Sequence, residues 1–532
     1  MSFTSLKFIL FLLLTVSLYY SSPKKHQWKI LLVSSYIFYS FSGIKYLPYI
    51  ILTTLSSYIT ARVISKNYKL QESFFSKNSL LNREEKKQYN KEFKDKRLRI
   101  LIFGIVINTS ILAVLKYSGF AIDNINFLAQ IFNINININT PNLLLPLGIS
   151  FYTFKSLGYL IDVYRQKYIA ENNIFKFALF ISFFPELLQG PISRYNDVSG
   201  DLYAHHIAKW ENISSGFLRI AYGYFKKIII ADTIAISVNT IISNPKNYSG
   251  GYVFFLIIAY SAQIYADFTG GIDITLGLSE ALGIRLKENF DHPFASISAK
   301  EYWNRWHISM GAWFTDYIFY PLSVSKSMQR LSKFSRNKFG NYIGKRIPVY
   351  LASFATWFLT GLWHGAYWNF VVWGLLNCTV IIISQELNPL FIKFRKKFVY
   401  LTKSYAWTLF CRARTFFIIG AIRILDCYRD VTITFQSFFS IFTSFSAWND
   451  MVSGGIFKLG LDVFDFALLI TGIIFICIVS KFQKTDGVSL RHKISKNPIL
   501  TCITICALIF SIIIFGAYGE GYDSAGFIYT QF

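Results

Sequence analysis

Apolar runs recur along the whole chain, and the charged residues gather between them. A run of roughly 20 apolar residues is long enough to cross a bilayer as a helix. The first run, about Leu6 to Tyr20, lacks a strongly basic start and a small-x-small cleavage site. Further spans follow at once, so it reads as a retained membrane helix rather than a signal peptide. Trp28 to Ile64 holds two more spans, with a break around Ser42-Gly43. A span from Ile100 to Tyr117 follows, then a return from Leu143 to Tyr164, then membrane-associated segments at about 173–192, 213–243 and 251–283. An apolar run from about Val349 to Ser384 and spans near 405–425, 462–480 and 498–516 complete the set. The pattern predicts an all-α polytopic membrane protein with about 11 to 13 membrane segments, re-entrant and interfacial ones included. With no polar linker and no internal repeat, residues 1–532 read as one integral membrane domain, its motif core at 143–383 and its C-terminal helices at 400–532.

Two local patterns interrupt this picture. The strict alternation of Asn133 to Asn139 predicts a short strand or a low-complexity loop. Pro146, Pro185, Gly190, Pro191 and Gly270-Gly271 break apolar runs. Irregular backbone at membrane depth is tolerated only where protein or a cavity covers it. Asp162, Glu186, Asp267 and Asp273 stand near these breaks, either as a polar lining or as ion pairs that lock helices, and locking is the favoured reading.

Composition agrees with the hydropathy. The chain is 53% hydrophobic and 18% aromatic, with a mean hydropathy of +0.38, which excludes an ordinary soluble protein. A net charge of +25 would suit nucleic acid, but the lysines and arginines cluster in loops, at Ser65–Arg99, Ser323–Arg346 and Lys393–Lys403. That is the positive-inside pattern, and it excludes nucleic acid as the partner. Ala121 to Asn142 holds no lysine or arginine and reads as external; counting back through three spans puts the N-terminus outside. The six cysteines form no C-x-x-C, and His205-His206 has no acidic or thiol neighbour at ligand spacing, so no metal site is predicted.

The candidate chemistry lies in two histidines. His364 sits in Thr360-Gly361-Leu362-Trp363-His364-Gly365-Ala366-Tyr367-Trp368, inside the apolar run. Ionisable groups at membrane depth are costly and usually face a protein interior or a water-filled path. His364 is either a tunnel-lining group or a core histidine bonded to a carbonyl. His307 lies in the segment 301–322, too polar to span a bilayer and too aromatic for a solvated loop. It predicts an interfacial or re-entrant helix anchored by Trp303, Trp306 and Trp313. Anchoring does not explain Arg305, His307 and Asp316 in the same stretch.

The pair W-x-R-W-H-I-S-x-x-x-W…D-Y-x-x-x-P-L and G-L-W-H-G-A-x-W…W-G-L resembles the membrane-bound O-acyltransferase family, in its bacterial branch of alginate O-acetyltransferase membrane subunits. Leu145–Phe154, Tyr159–Arg165, Phe183–Ile192, Tyr260–Gly270 with Asp273, and the ending Phe527–Phe532 agree with that branch. Several long motifs in one order make a specific signal. Asn304, Thr315, Ser323-Val324 and Glu186 depart from the branch pattern, while both histidines are kept.

The resemblance implies helices around a central tunnel, with His364 as general base and His307 binding the acyl donor or stabilising the oxyanion. Trp363, Arg305, Trp306, Asp316, Gln263 and Asp267 would line or support the tunnel. It implies no permanently bound cofactor; acetyl-CoA or another acyl thioester is the donor, and an exported polysaccharide the acceptor. A separate extracytoplasmic esterase-like transferase is the implied partner, and the location a bacterial cytoplasmic membrane. D-alanylation of teichoic acid is the alternative in the same chemical class, and a transporter or flippase the alternative outside it.

Overall fold

The computed structural model describes residues 3–141, 143, 145–482, 490–517 and 526–527. Of the branch-like ending, residues 528–532 lie outside the described residues. The chain divides into two compact units, Met1–Lys209 with Ser279–Lys287, and Trp210–Leu278 with Glu288–Phe532.

In the first unit, α1 (Leu6–Ser21), α2 (Gln27–Ser40) and α3 (Leu47–Lys77) follow the predicted runs, and the chain breaks at Gly43 as expected. The charged stretch 65–99 is not a loop. α3 runs through its first half, and α4 (Arg83–Ile131) starts inside it on a reciprocal cap between Asn82 and Glu85. A helix of 49 residues is about 74 Å long, against about 30 Å of hydrocarbon. The charged end of α4 therefore stands clear of the bilayer. It is held against α3 by Phe74 with Tyr89 and Phe93, and by Arg97, which stacks 3.8 Å over Tyr68 and donates to Asn67. Charge made this stretch look like a loop, but alternating charges on an exposed helix face are equally soluble. The alternating Asn133–Asn139 run forms neither helix nor strand. α5 (Ile149–Tyr164) carries Lys155, which meets Glu186 at 2.7 Å with both side chains almost fully buried; Ser193 also donates to Glu186.

The second unit holds α6 (Trp210–Tyr224), a π-helix at Phe225–Ala231, α7 (Gly251–Ala281), α8 (Ala299–Arg305), α9 (Ile308–Phe314), α10 (Ile347–His364), α11 (Trp368–Glu386), α12 (Tyr405–Tyr428), α13 (Val463–Phe482) and α14 (Pro498–Phe515). The basic stretch 323–346 is also mostly helical, at Lys326–Gly344. α6 and α7 touch through glycine: a Cβ on Gly223 would lie 2.6 Å from the Gly270 carbonyl oxygen. The π-turn carries Lys226 and Lys227 into that contact. Lys226 pairs with Asp273 at 2.5 Å, and Lys227 with Asp267 and Asp232 at 2.6 and 2.8 Å. The aspartates near the glycine break are therefore ion-paired, as helix locking predicted. The lysines that pair with them gave no signal in the sequence beyond their place in an apolar run.

Among the described residues, six helices are long and apolar enough to cross a membrane: α3 with its preceding turn, α4, α7, α11, α13 and α14. α1 is apolar but shorter. The chain is an all-α multi-pass membrane protein.

Candidate active site

The site is built in the second unit from two breaks in helical structure. The segment 301–322 is not one helix. α8 ends at Arg305, His307 adopts left-handed backbone (φ 48°, ψ 55°), and α9 restarts at Ile308. For a non-glycine residue that conformation costs roughly 1–2 kcal/mol and persists only when its surroundings hold it. Here a second strand of chain holds it. Phe290 forms an antiparallel bridge with Trp306, Asp291 N donates to Arg305 O at 2.9 Å, and Ile308 N donates to Asn289 O at 2.9 Å. The Asn289 side chain, fully buried, reaches both Ser309 and the His307 ring.

His364 is the last residue of α10, and Gly365 leaves the helix in extended conformation. Gly361 therefore lies within α10 and Gly365 just beyond it. Gly361 lets α10 approach α11: a Cβ there would lie 2.4 Å from the Phe370 carbonyl oxygen, and one on Gly374 would lie 2.4 Å from that of Trp357.

Trp363 joins the two histidines. Its ring centroid is 5.9 Å from that of His307 and 4.9 Å from that of His364. Phe268 meets His307 edge-on at 4.9 Å, and Trp373 meets His364 edge-on at 4.6 Å. His307 is fully buried. Burial pushes its pKa down to about 3, so the ring is neutral at cellular pH. His364 is partly buried.

The other candidates divide. Trp306 is buried beside His307, stacked on Tyr302 and lying 4.0 Å under the Arg423 guanidinium. Asp316 and Trp306 line one cleft of about 470 Å³, with Met310, Phe314, Trp357 and Thr360 in its walls. Arg305 turns its guanidinium to Glu301 at 2.6 Å. Asp267 pairs with Lys227, and Gln263 is buried on α7. Asn289 and Arg423 were not found from sequence. Asn289 sits in a polar stretch that looks like a loop, and Arg423 is more than 100 positions from the tryptophan it covers.

Residues 169–423 match the family described as MBOAT, membrane-bound O-acyltransferase family. The chain is 32% identical over 419 residues to a probable alginate O-acetylase AlgI of Azotobacter vinelandii, covering 77% of this chain and 75% of that one. This chain is a membrane-bound O-acyltransferase. The acyltransferase is also 27% identical over 390 residues to the peptidoglycan O-acetyltransferase of Helicobacter pylori, covering 68% and 65% of the two chains. To the teichoic acid D-alanyltransferase of Bacillus subtilis it is 29% identical over 279 residues, covering 50% and 64%. In the acyltransferase, Lys155, Lys226 and Lys227, buried charges that a transporter could use for ion coupling, are each paired with a carboxylate.

Proposed function

We propose that this acyltransferase takes acetyl groups from a cytoplasmic thioester at the two-histidine site and hands them on for the O-acetylation of an exported polysaccharide. The observation that carries the reading is Trp363, whose ring touches both histidines. His364 takes the proton of the acceptor hydroxyl as its oxygen attacks the thioester carbonyl. General-base assistance of this kind is typically worth about 10²–10⁴-fold. The carbonyl oxygen becomes an oxyanion, the C–S bond breaks, and the proton passes to the departing sulfur, leaving an ester and a thiol. Acetyl-CoA is the donor of choice, because acyl thioesters are made in the cytoplasm. The aromatic cleft beside Trp306 and Asp316 suits its narrow arm.

Orientation supports transfer across the membrane. α10 follows the basic stretch 323–346, and His364 ends its 18 residues, about 27 Å along the axis. By the positive-inside rule the basic end is cytoplasmic, and α10 carries His364 away from that end. From the same rule we infer that the N-terminus is outside, and from the bacterial relatives that the membrane is a bacterial cytoplasmic one. An extracytoplasmic esterase-like transferase is the partner we infer for the final delivery.

The test is ester-linked acetate on extracellular and wall polysaccharide in intact, deleted and His364→Ala strains. Acetate lost in both mutants supports the reading and names the acceptor; acetate kept in the His364→Ala strain at matched expression overturns the assignment of the base. The likeness to the D-alanyltransferase gives the second reading, which wall D-alanine measured in the same strains separates.

A further inference from the structure

The division of labour between the histidines is written in the hydrogen bonds of Asn289. Its Oδ1 accepts from the Ser309 backbone N–H at 3.0 Å and from the Ser309 hydroxyl at 2.8 Å. A backbone N–H can only donate, so the amide oxygen must face Ser309 and the amide nitrogen must face the other way. That nitrogen, Nδ2, lies 3.1 Å from His307 Nδ1. It carries two protons and no lone pair to offer, so Nδ1 accepts. The remaining approach, Nδ1 to Oδ1 at 3.3 Å, is longer and meets an oxygen already taken by two donors. A neutral imidazole carries one proton. With Nδ1 accepting, that proton is on Nε2.

We propose that Asn289 is a positioning residue that fixes His307 as the Nε2–H tautomer, so that His307 serves acyl transfer as a hydrogen-bond donor to the developing oxyanion. The inference rests on the two-histidine site proposed above and assigns the roles within it. A ring held this way gives up no proton and takes none; His364 alone is the base. The suppressed basicity of the buried ring fits a donor, since a group that stays neutral is a poor proton acceptor. The left-handed backbone at His307 has the same cause, because Asn289 holds Ile308 and Ser309 as well as the ring.

The test uses the full-length chain in open membrane fragments of its host, with the chromosomal copy deleted and acetyl-CoA as the probe donor. Asn289→Asp is nearly isosteric and keeps an oxygen for Ser309, but its carboxylate has no N–H. It accepts from His307 instead, drawing the ring proton to Nδ1. The expected result is a fall in kcat of about 10²–10³-fold, the usual effect of losing one oxyanion donor, with KM for acetyl-CoA unchanged. His307→Gln keeps an N–H donor and cannot act as a base, so it should retain at least about tenfold more activity than His307→Ala, within that same donor contribution. In ¹⁵N-histidine-labelled protein, the signal that His307→Gln removes should show an unprotonated Nδ1 in the wild type and a protonated one in Asn289→Asp. Wild-type kcat in Asn289→Asp, equal loss in His307→Gln and His307→Ala, or a protonated Nδ1 in the wild type would each overturn the proposal. Full activity in His364→Ala is a different failure, that of the site assignment itself.

Discussion

Gly361→Ala tests whether the spacing of α10 and α11 sets the position of His364. The new Cβ would lie 2.4 Å from the Phe370 carbonyl oxygen, 3.1 Å from its carbon and 3.3 Å from the Val371 Cα. All three are backbone atoms of the facing helix, so no side chain can turn aside. Ordinary contact begins near 3.4 Å, and the helices must part by about 1 Å. Overpacking of this kind costs about 1–3 kcal/mol, offset by about 0.5–1 kcal/mol because alanine favours helix over glycine. The stability loss is therefore modest. His364 is three residues on, and a displacement of about 1 Å at a reacting group can cost about 10²-fold in rate. The assay is the initial rate of ester formation in host membranes, read beside the melting temperature in detergent. Gly119→Ala is the control, because a Cβ there, on α4, would meet nothing within 4 Å; it should keep wild-type rate. Gly374→Ala meets Trp357 O at 2.4 Å from the other side of the crossing and should behave as Gly361→Ala does. If Gly361→Ala matched Gly119→Ala in rate, helix spacing would not position the histidine.

Other consequences can be checked in the same membranes. Lys227→Met removes the ammonium that Asp267 and Asp232 share in the interior. Breaking a buried pair from one side typically costs about 3–5 kcal/mol, so the protein should melt lower or fail to accumulate, and replacing the two aspartates by asparagine as well should restore part of the loss. His307 gives a pH signature. Its pKa is about 3 folded and about 6.5 unfolded. Between those values the unfolded chain binds a proton that the folded one refuses, so this contribution to stability is present above about 6.5 and is lost as pH falls. His307→Gln should flatten the fall in melting temperature between pH 6.5 and pH 4 relative to wild type; an identical slope would mean the ring is not held neutral. For the same reason His307 supplies no acid limb of activity, and His307→Gln should leave the midpoint of any such limb in place.

The helical, many-spanning character of this protein was legible in its sequence, because hydropathy acts locally: each run of apolar residues needs lipid or protein around it wherever it sits. The two histidines were legible too, since a titratable ring in an apolar or aromatic stretch is conspicuous before any fold is known. Glu186, Asp267 and Asp273 were visible as charges out of place, but Lys155, Lys226 and Lys227 became their partners only when α5, α6 and α7 met the segments that carry them. Charge density hid the helices at both ends of 65–99, because an exposed helix needs no apolar face along its whole length. What the tertiary structure alone decided is the state of the site. Trp363 joins His307 to His364 across 57 positions of chain, and Asn289, in a stretch that reads as plain loop, turns toward His307 because Phe290 pairs with Trp306. A side chain's chemistry is written in its residue type; the proton it carries depends on the neighbour that the fold brings to it.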